Sequence, residues 1–379
     1  MVIAMIYLDY SATTPVNDEV LDSYIKVTKE YIGNTHSLHK LGVASKKLYD
    51  EATKQIADLF NIMQNEVVYT SGATEANNMA IVGYAMANHK RGNHIIVSML
   101  EHPSIYKMCE YLETLGFRIS YVKNLENGTI DIDDLRNLIT EETILVSVCA
   151  VNSEVGVRQP LKAIRQVIKK ENMNTIFHSD MTQAIGKCNV SLHDVDMATM
   201  SGHKIYGPKG IGMLYLNSKI RINPILQGST KFDEIRPGTV PLPLVVSFSK
   251  ALRIALTNID KKESYVKKLN DRIINHFKKY DNILINNTEY SIPFIINISV
   301  PNIKSETLVH ALEAKDIYIS TNTACSSTDL STSVLAIYGD KKRAVSTLRI
   351  SLSYLTTSDE VSKFLECFDE EYKKLSELS

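Results

Sequence analysis

The sequence lacks an excess of either charge. Its 379 residues carry 42 Lys and Arg against 43 Asp and Glu, a formal net charge of −1. That balance argues against bulk electrostatic binding of nucleic acid, although it leaves room for a local basic patch. Long apolar runs are missing as well. The stretches Ile95 to Val97 and Leu242 to Phe248 fall far short of the about 20 residues that span a bilayer core, so no membrane-spanning segment is expected. The opening MVIAMIYLDY has no basic stretch and meets an aspartate at Asp9, so it reads as a poor export signal. No repeat with a period of about 20 to 50 residues is visible. With 44% hydrophobic and 22% charged residues, collagen-like, low-complexity and wholly disordered chains are excluded.

Cysteine is sparse and badly spaced for structural use. There are five: Cys109, Cys149, Cys188, Cys325 and Cys367. The number is odd, no two form a CxxC, and none pairs with a histidine at zinc spacing. A reduced, cytoplasmic setting without a metal site is the expectation. Cys109 and Cys367 sit in helical patterns and Cys149 in a strand pattern, as small core residues do. Cys188, after a Gly and a Lys, stays undecided. Cys325 differs, lying in Thr321-Asn322-Thr323-Ala324-Cys325-Ser326-Ser327 beyond a strand-like run. Exposure is what a reactive thiol needs, but composition alone fits an incidental exposed cysteine as well.

What is present is an alternation of strand-type and helix-type segments. Short apolar runs at 66–69, 94–98, 144–151, 175–178, 197–200 and 212–215 alternate with helical patterns at 74–88, 104–115 and 161–170. Continuously apolar strands between helices predict a mostly parallel sheet covered on both faces, an α/β fold. After residue 250 the pattern changes. Residues 265–279 form an amphipathic helix with Val266, Leu269, Ile273 and Phe277 on one face, and strand-like 294–300 and 347–352 and a charged helix over 358–375 follow. The expected division is an N-terminal segment 1–15 packed on a small domain, a large domain 16–255, and a small α+β domain 256–379. A long helix is expected to connect the two.

Chemistry concentrates in Ser201-Gly202-His203-Lys204-Ile205-Tyr206-Gly207-Pro208-Lys209-Gly210. A lysine after a strand, flanked by Ser, His and glycines, can condense with an aldehyde cofactor; it can equally be a surface lysine in a turn. Asp180 follows the strand pattern at 175–178, at the sheet edge where ligands of open α/β sheets bind. It could face the pyridine nitrogen of pyridoxal phosphate, with Gln183 near the ring hydroxyl, or simply cap a helix. Thr70-Ser71-Gly72-Ala73-Thr74-Glu75 is a glycine turn opening a helix, fit for a phosphate or for a capping box alone. His102, in Glu101-His102-Pro103, could stack on a flat cofactor or move protons; taken alone, such a residue is more often a satisfied structural histidine. Asn152 is similarly ambiguous.

Taken together these residues resemble one family. Leu8-Asp9 with Ala12-Thr13-Thr14-Pro15, Gly33-Asn34 with Ser37-Leu38-His39, the runs 70–78 and 178–187, Glu101-His102-Pro103, Asn152 with Glu154 and Gly156, the lysine decapeptide, 236–239, Ala324-Cys325-Ser326 and Arg349 occur in the order and spacing of cysteine desulfurases of the NifS/IscS type. These are pyridoxal-phosphate (PLP) enzymes with the aspartate-aminotransferase fold, fold type I. The resemblance implies that Lys204 forms the imine with PLP and moves protons at the substrate Cα. It implies that Asp180 pairs with the ring nitrogen, Gln183 with the ring hydroxyl, and that His102 stacks on the ring. Ala73, Thr74, Ser201 and His203 would hold the phosphate, joined by Thr239 from the second subunit of a homodimer. Arg349 and Asn152, with Asn34, would bind the substrate carboxylate, and Cys325 would be the nucleophile. The implied reaction converts L-cysteine to L-alanine and a persulfide, passed to a sulfur-acceptor protein for iron–sulfur cluster assembly, tRNA thiolation or a thio-cofactor. Direct nucleic-acid binding is not expected.

Four places depart from the pattern: Gln227-Gly228-Ser229-Thr230-Lys231-Phe232-Asp233-Glu234 before Thr239, Tyr10 where Asn is usual, Ser153 where a second Asn is usual, and a stretch from Cys325 to Arg349 slightly shorter than in the housekeeping enzymes. A specialised rather than general sulfur donor is the expectation drawn from them. The competing readings are selenocysteine lyase, another PLP lyase or transaminase on the same fold, and a non-catalytic adaptor. Cys325 separates them, because only persulfide formation requires it.

Overall fold

The apolar segments assemble into a seven-stranded sheet. In the computed structural model, which describes residues 5–228, 235–321 and 330–377, the spatial order is Val67–Thr70, Gly212–Leu216, Met197–Ser201, Ile176–Asp180, Thr143–Ser147, His94–Ser98, Arg118–Val122. Gly212–Leu216 runs antiparallel to both neighbours and the other strands are parallel to one another. The strands' lack of alternation now has its reason. Ile95, Ile96 and Val97 are fully buried, because helices cover both faces. Each such side chain contributes about 1.5–3 kcal/mol on leaving water.

Ala73–Asn88 and Pro103–Thr114 pack together through Met79, Ala80, Ile105 and Leu112 on one side of the sheet. The other side meets Leu161–Glu171 and Leu242–Leu256, whose Ile164, Ile168, Phe248 and Leu252 join the main core. Beyond residue 258 a three-stranded antiparallel sheet, Thr347–Ser351, Ile295–Ser299 and Leu284–Ile285, is covered by Ile259–Phe277, Ser305–Glu313 and Ser358–Ser376. Phe277, Phe364 and Phe368 stack edge-on between those helices. Residues Ile6–Tyr7 pair in parallel with Ile317–Tyr318, so the start of the chain is stitched to this second unit.

One expectation needs correction. The connection is not one long helix: Leu242–Leu256 and Ile259–Phe277 meet at a 66° bend. Asn258 between them has φ +56°, a left-handed conformation that Asn tolerates and that no helix can continue through. Among the described residues no single helix is long and apolar enough to cross a membrane.

Candidate active site

The parallel strands all end on one side, and the candidate residues gather there around a cavity of about 590 Å³, within the range typical of small-molecule sites. Asp180 is the last residue of its strand. Its Oδ2 accepts from Asn77 Nδ2 at 2.9 Å and its Oδ1 from the Thr182 N–H at 2.9 Å. Asn77 in turn accepts from Thr199 Oγ1 at 2.6 Å. Asp180 is thus an oriented carboxylate at the cavity wall. Asn77, fully buried in the helix Ala73–Asn88, was invisible as a functional residue; the signal was an asparagine on that helix's apolar face.

Lys204 closes a short 3₁₀ turn, Gly202–Lys204, after the strand Met197–Ser201. Its Nζ donates to the Ser11 and Ala12 carbonyls at 2.5 and 2.6 Å, so the N-terminal segment lies directly against it. That segment is fastened by Thr14, whose N–H and hydroxyl both donate to the His203 carbonyl at 2.9 and 3.0 Å. His203 shares a 3.2 Å hydrogen bond with Thr13 Oγ1, and burial with three nearby lysine charges pushes its imidazole down to about 4, so it is neutral at pH 7.

The turn before the helix Ala73–Asn88 is shaped as a cradle. Its N-cap, Gly72, supplies no side-chain cap. Glu75 does reach back to the Ser71 N–H at 2.6 Å, one half of the expected capping box. The neighbouring Gly212 passes so close that a Cβ there would lie 2.7 Å from Gly72 Cα. Ala73, Thr74, Ser201 and His203 surround this helix start, leaving N–H groups for an anion.

His102 is both a cap and a cavity residue. Its Nδ1 accepts from the Ser104 N–H at 3.1 Å, capping Pro103–Thr114 and leaving Nε2 to carry the proton of the neutral ring. Burial lowers its pKa, against the raising pull of Asp180. Capping the helix and lining the cavity are therefore compatible for this residue.

Arg349 forms the opposite wall. It is 1% exposed, on the strand Thr347–Ser351. Nη2 pairs with Asp9 Oδ1 at 3.0 Å and Nη1 donates to the Ser153 carbonyl at 3.1 Å, while Nε has no partner. Thr182 Oγ1, on the same cavity, is also buried without a partner. An uncapped helix start beside an oriented carboxylate, a lysine and an arginine is what a flat, anionic cofactor and an amino-acid substrate would satisfy. The residues present fit PLP.

The structure does not bring every candidate together. Asn152 is 2% exposed but does not line the cavity. Its Nδ2 donates to the Leu100 carbonyl and to Ser333 Oγ, both at 2.9 Å, and its Oδ1 accepts from the Glu154 and Val155 N–H groups. These four bonds occupy its amide and tie the turn 152–156 to Leu100 and Ser333. Asn34 is exposed, with Oδ1 on the His36 N–H, and Thr239 is exposed too; neither lines this chain's cavity.

Cys325 lies outside the described residues. Its flanks do not. Ser320 exchanges two backbone hydrogen bonds with Arg349, at 2.7 and 3.1 Å. Ser331 donates to Glu154 Oε2, and Ser333 meets Asn152. Both ends of the cysteine-bearing stretch are thus fastened beside the arginine wall. The four described cysteines are buried. Burial pushes the Cys109 thiol up to about 12, Cys188 up to about 11 and Cys149 well above its ordinary value, which leaves these three as unreactive thiols.

Known proteins carry the same arrangement of chain. The aminotransferase class-V family matches residues 6–364. Cysteine desulfurase IscS of Buchnera aphidicola is 38% identical, over 99% of this chain and 94% of its own. A solved NifS-like protein superposes with a TM-score of 0.93 at 32% identity, covering 98% of this chain and all of that one. SspA, solved in complex with cysteine, superposes with a TM-score of 0.79 at 29% identity over 93% of this chain and 99% of its own.

Proposed function

We infer that the chain, which belongs to the aminotransferase class-V family, is a PLP-dependent cysteine desulfurase that converts L-cysteine to L-alanine and holds the removed sulfur as a persulfide on Cys325. The observation that carries the residue assignment is the convergence of Lys204, Asp180 and His102 on one cavity wall with Arg349 on the other. PLP, when bound, supplies an electron sink for the charge left at the substrate Cα.

The chain supplies the rest. Asp180, fixed by Asn77 and Thr182, is the anionic partner for the ring nitrogen. Ala73, Thr74, Ser201 and His203 hold the phosphate at the helix start. Gln183 would meet the ring hydroxyl and His102 would lie against the ring, both from the cavity lining. Lys204 Nζ carries a proton to and from the substrate Cα, directed by the Ser11 and Ala12 carbonyls. The Arg349 guanidinium, held by Asp9 and Ser153, orients the substrate carboxylate. Cys325 Sγ then takes the substrate sulfur. The Cβ–S bond breaks, an S–S bond forms, and alanine leaves with a hydrogen gained at Cβ, so the thiol becomes a persulfide and no external oxidant is needed.

A homodimer in which Thr239 reaches the second subunit's phosphate is part of this proposal. Its support is that Thr239 is exposed in its own chain and that Ile32, Leu38, Leu41 and Val43 around Asn34 are exposed apolar side chains that a second copy would cover. The acceptor is a protein that receives the persulfide sulfur, and the departures at 227–234 make this a specialised donor.

The test is product analysis. The PLP-loaded protein is given L-cysteine and a reductant, and alanine and sulfide are quantified together. Equal amounts are expected, with both lost in Cys325→Ala while the visible cofactor absorption stays. Pyruvate and ammonia alongside sulfide, or full activity in Cys325→Ala, would overturn the persulfide step.

A further inference from the structure

We propose that Lys187 is a positioning residue for the cofactor site: its buried amine fixes the Gln183 carboxamide with the NH2 turned towards the cavity, making Gln183 a hydrogen-bond donor to the cofactor's ring hydroxyl. The inference rests on the assignment of Gln183 proposed above.

Lys187 is 7% exposed, an unusual place for a lysine. Gly186 before it has φ +75° and lies against Ala255, where an added Cβ would come within 2.9 Å of the Ala255 Cβ. That turn carries Lys187 inward, to a small void it shares with Lys204 and Tyr206. Its hydrogen-bond partner there is Gln183 Oε1. The charges that act on it are the cations Lys204 and Arg349, with the Cys188 thiol opposing them. Burial first, and those cations second, push its ammonium down to about 7. A lysine kept in so unfavourable a setting calls for a reason, and the reason offered by the geometry is the amide it holds.

The orientation follows from what each neighbour can do. The Ser11 carbonyl only accepts, and the Lys187 amine donates whether it is charged or neutral. Gln183 sits between them, with Oε1 on Lys187 and Nε2 donating to the Ser11 carbonyl at 2.9 Å. Only one of the two amide orientations satisfies both. It leaves the second N–H of Nε2 for the cavity that Gln183 lines. Ser11 is also the carbonyl that receives Lys204 Nζ, so one buried chain of hydrogen bonds links Lys187 to the imine-forming lysine.

The experiment is a double-mutant cycle on the PLP-loaded protein with two readouts, the visible absorption maximum and the PLP dissociation constant. Lys187→Met, Gln183→Ala and the double variant are compared with the parent. Gln183→Ala is expected to shift the band and raise the dissociation constant about tenfold. Lys187→Met is expected to shift the band in the same direction, and the double variant no further than Gln183→Ala alone. A Lys187→Met protein with the parent's band and affinity, or a double variant showing the sum of two independent shifts, overturns the inference. Should Lys187→Met not fold, Lys187→Gln is read by the same two outcomes. An unshifted Gln183→Ala that still binds PLP would instead remove the ring-hydroxyl assignment itself, and the role of Lys187 with it.

Discussion

The two walls of the cavity are built in different ways. On the cofactor wall Asp180, Gln183, Ser201, His203 and Lys204 come from two adjacent strand ends and the turns that follow them, within 25 residues of chain. On the substrate wall Arg349 is held by Asp9, 340 positions away, and by Ser153, 196 positions away. The first wall needs the sheet, the helix that carries Asn77 and, from the N-terminal segment, only the Ser11–Thr14 stretch that meets Gln183, His203 and Lys204. The second needs the N-terminal segment, the loop after Thr143–Ser147 and the second unit to meet. Cofactor binding and substrate binding are therefore expected to fail separately.

Lys204→Ala is the most severe way to break the cofactor wall. Turnover should fall by at least about a thousandfold, because the variant loses both the imine-forming group and the base. The visible band that depends on the lysine should vanish. A spectrophotometric titration with PLP and an alanine assay report the two losses. A variant that keeps more than a few per cent of the parent turnover would put the reacting lysine elsewhere, with Lys209 and Lys187 as the nearest candidates.

Arg349→Ala tests the opposite wall and should leave the band in place. It removes the substrate's charge partner and strands Asp9, whose carboxyl burial already pushes up against the pull of Arg349. KM for L-cysteine should rise about a hundredfold, with a smaller change in kcat. Asp9→Asn keeps the arginine but loosens it, so about a tenfold rise in KM is expected. Steady-state kinetics with the cofactor spectrum as control separate the two. Loss of the band in Arg349→Ala would mean that the walls are one cooperative unit.

The same contrast decides what the sequence made legible. The cofactor wall was readable because its residues are close in the chain and each belongs to a strand–turn–helix unit with a period of its own. The fold class followed from the same local patterns. In the sequence Asp9 stands only as part of the Leu8-Asp9 motif. Nothing near residue 9 announces that its carboxylate meets an arginine in the last strand, and that pairing exists only because Ile6–Tyr7 adds to Ile317–Tyr318. Asn152 shows a different limit. It stands where the motif puts it, but the turn 152–156 and Ser333 consume its amide, a competition between backbone and ligand that residue type cannot show. Asn77 and Lys187 were missed because a polar residue inside an apolar pattern reads as noise until its partner is known. The bend at Asn258 was missed because Asn is tolerated in a helix and the sequence on both sides is helical.

The smallest effect, and the sharpest on how the cofactor wall tolerates charge, concerns Glu101. It is 4% exposed; Oε1 accepts from the Cys149 N–H at 2.6 Å and Oε2 has no partner. Burial, with the Asp180 charge adding to it, pushes its carboxyl up to about 8. A carboxyl whose pKa is higher folded than unfolded keeps its proton in the native state after the unfolded chain has released it. Its contribution to stability is therefore whole below the ordinary value of 4.5 and drains away as pH rises from there towards about 8. Glu101→Gln preserves the shape and cannot ionise, so that slope should disappear. Urea unfolding of the PLP-loaded protein between about pH 5 and pH 8 should show the difference growing with pH in favour of Gln, on the order of 1–3 kcal/mol at the upper end. Parallel curves would mean that Glu101 is already ionised at pH 5, so that two buried carboxylates, Glu101 and Asp180, lie near one another behind the cofactor wall, where the arginine wall carries one neutralised pair.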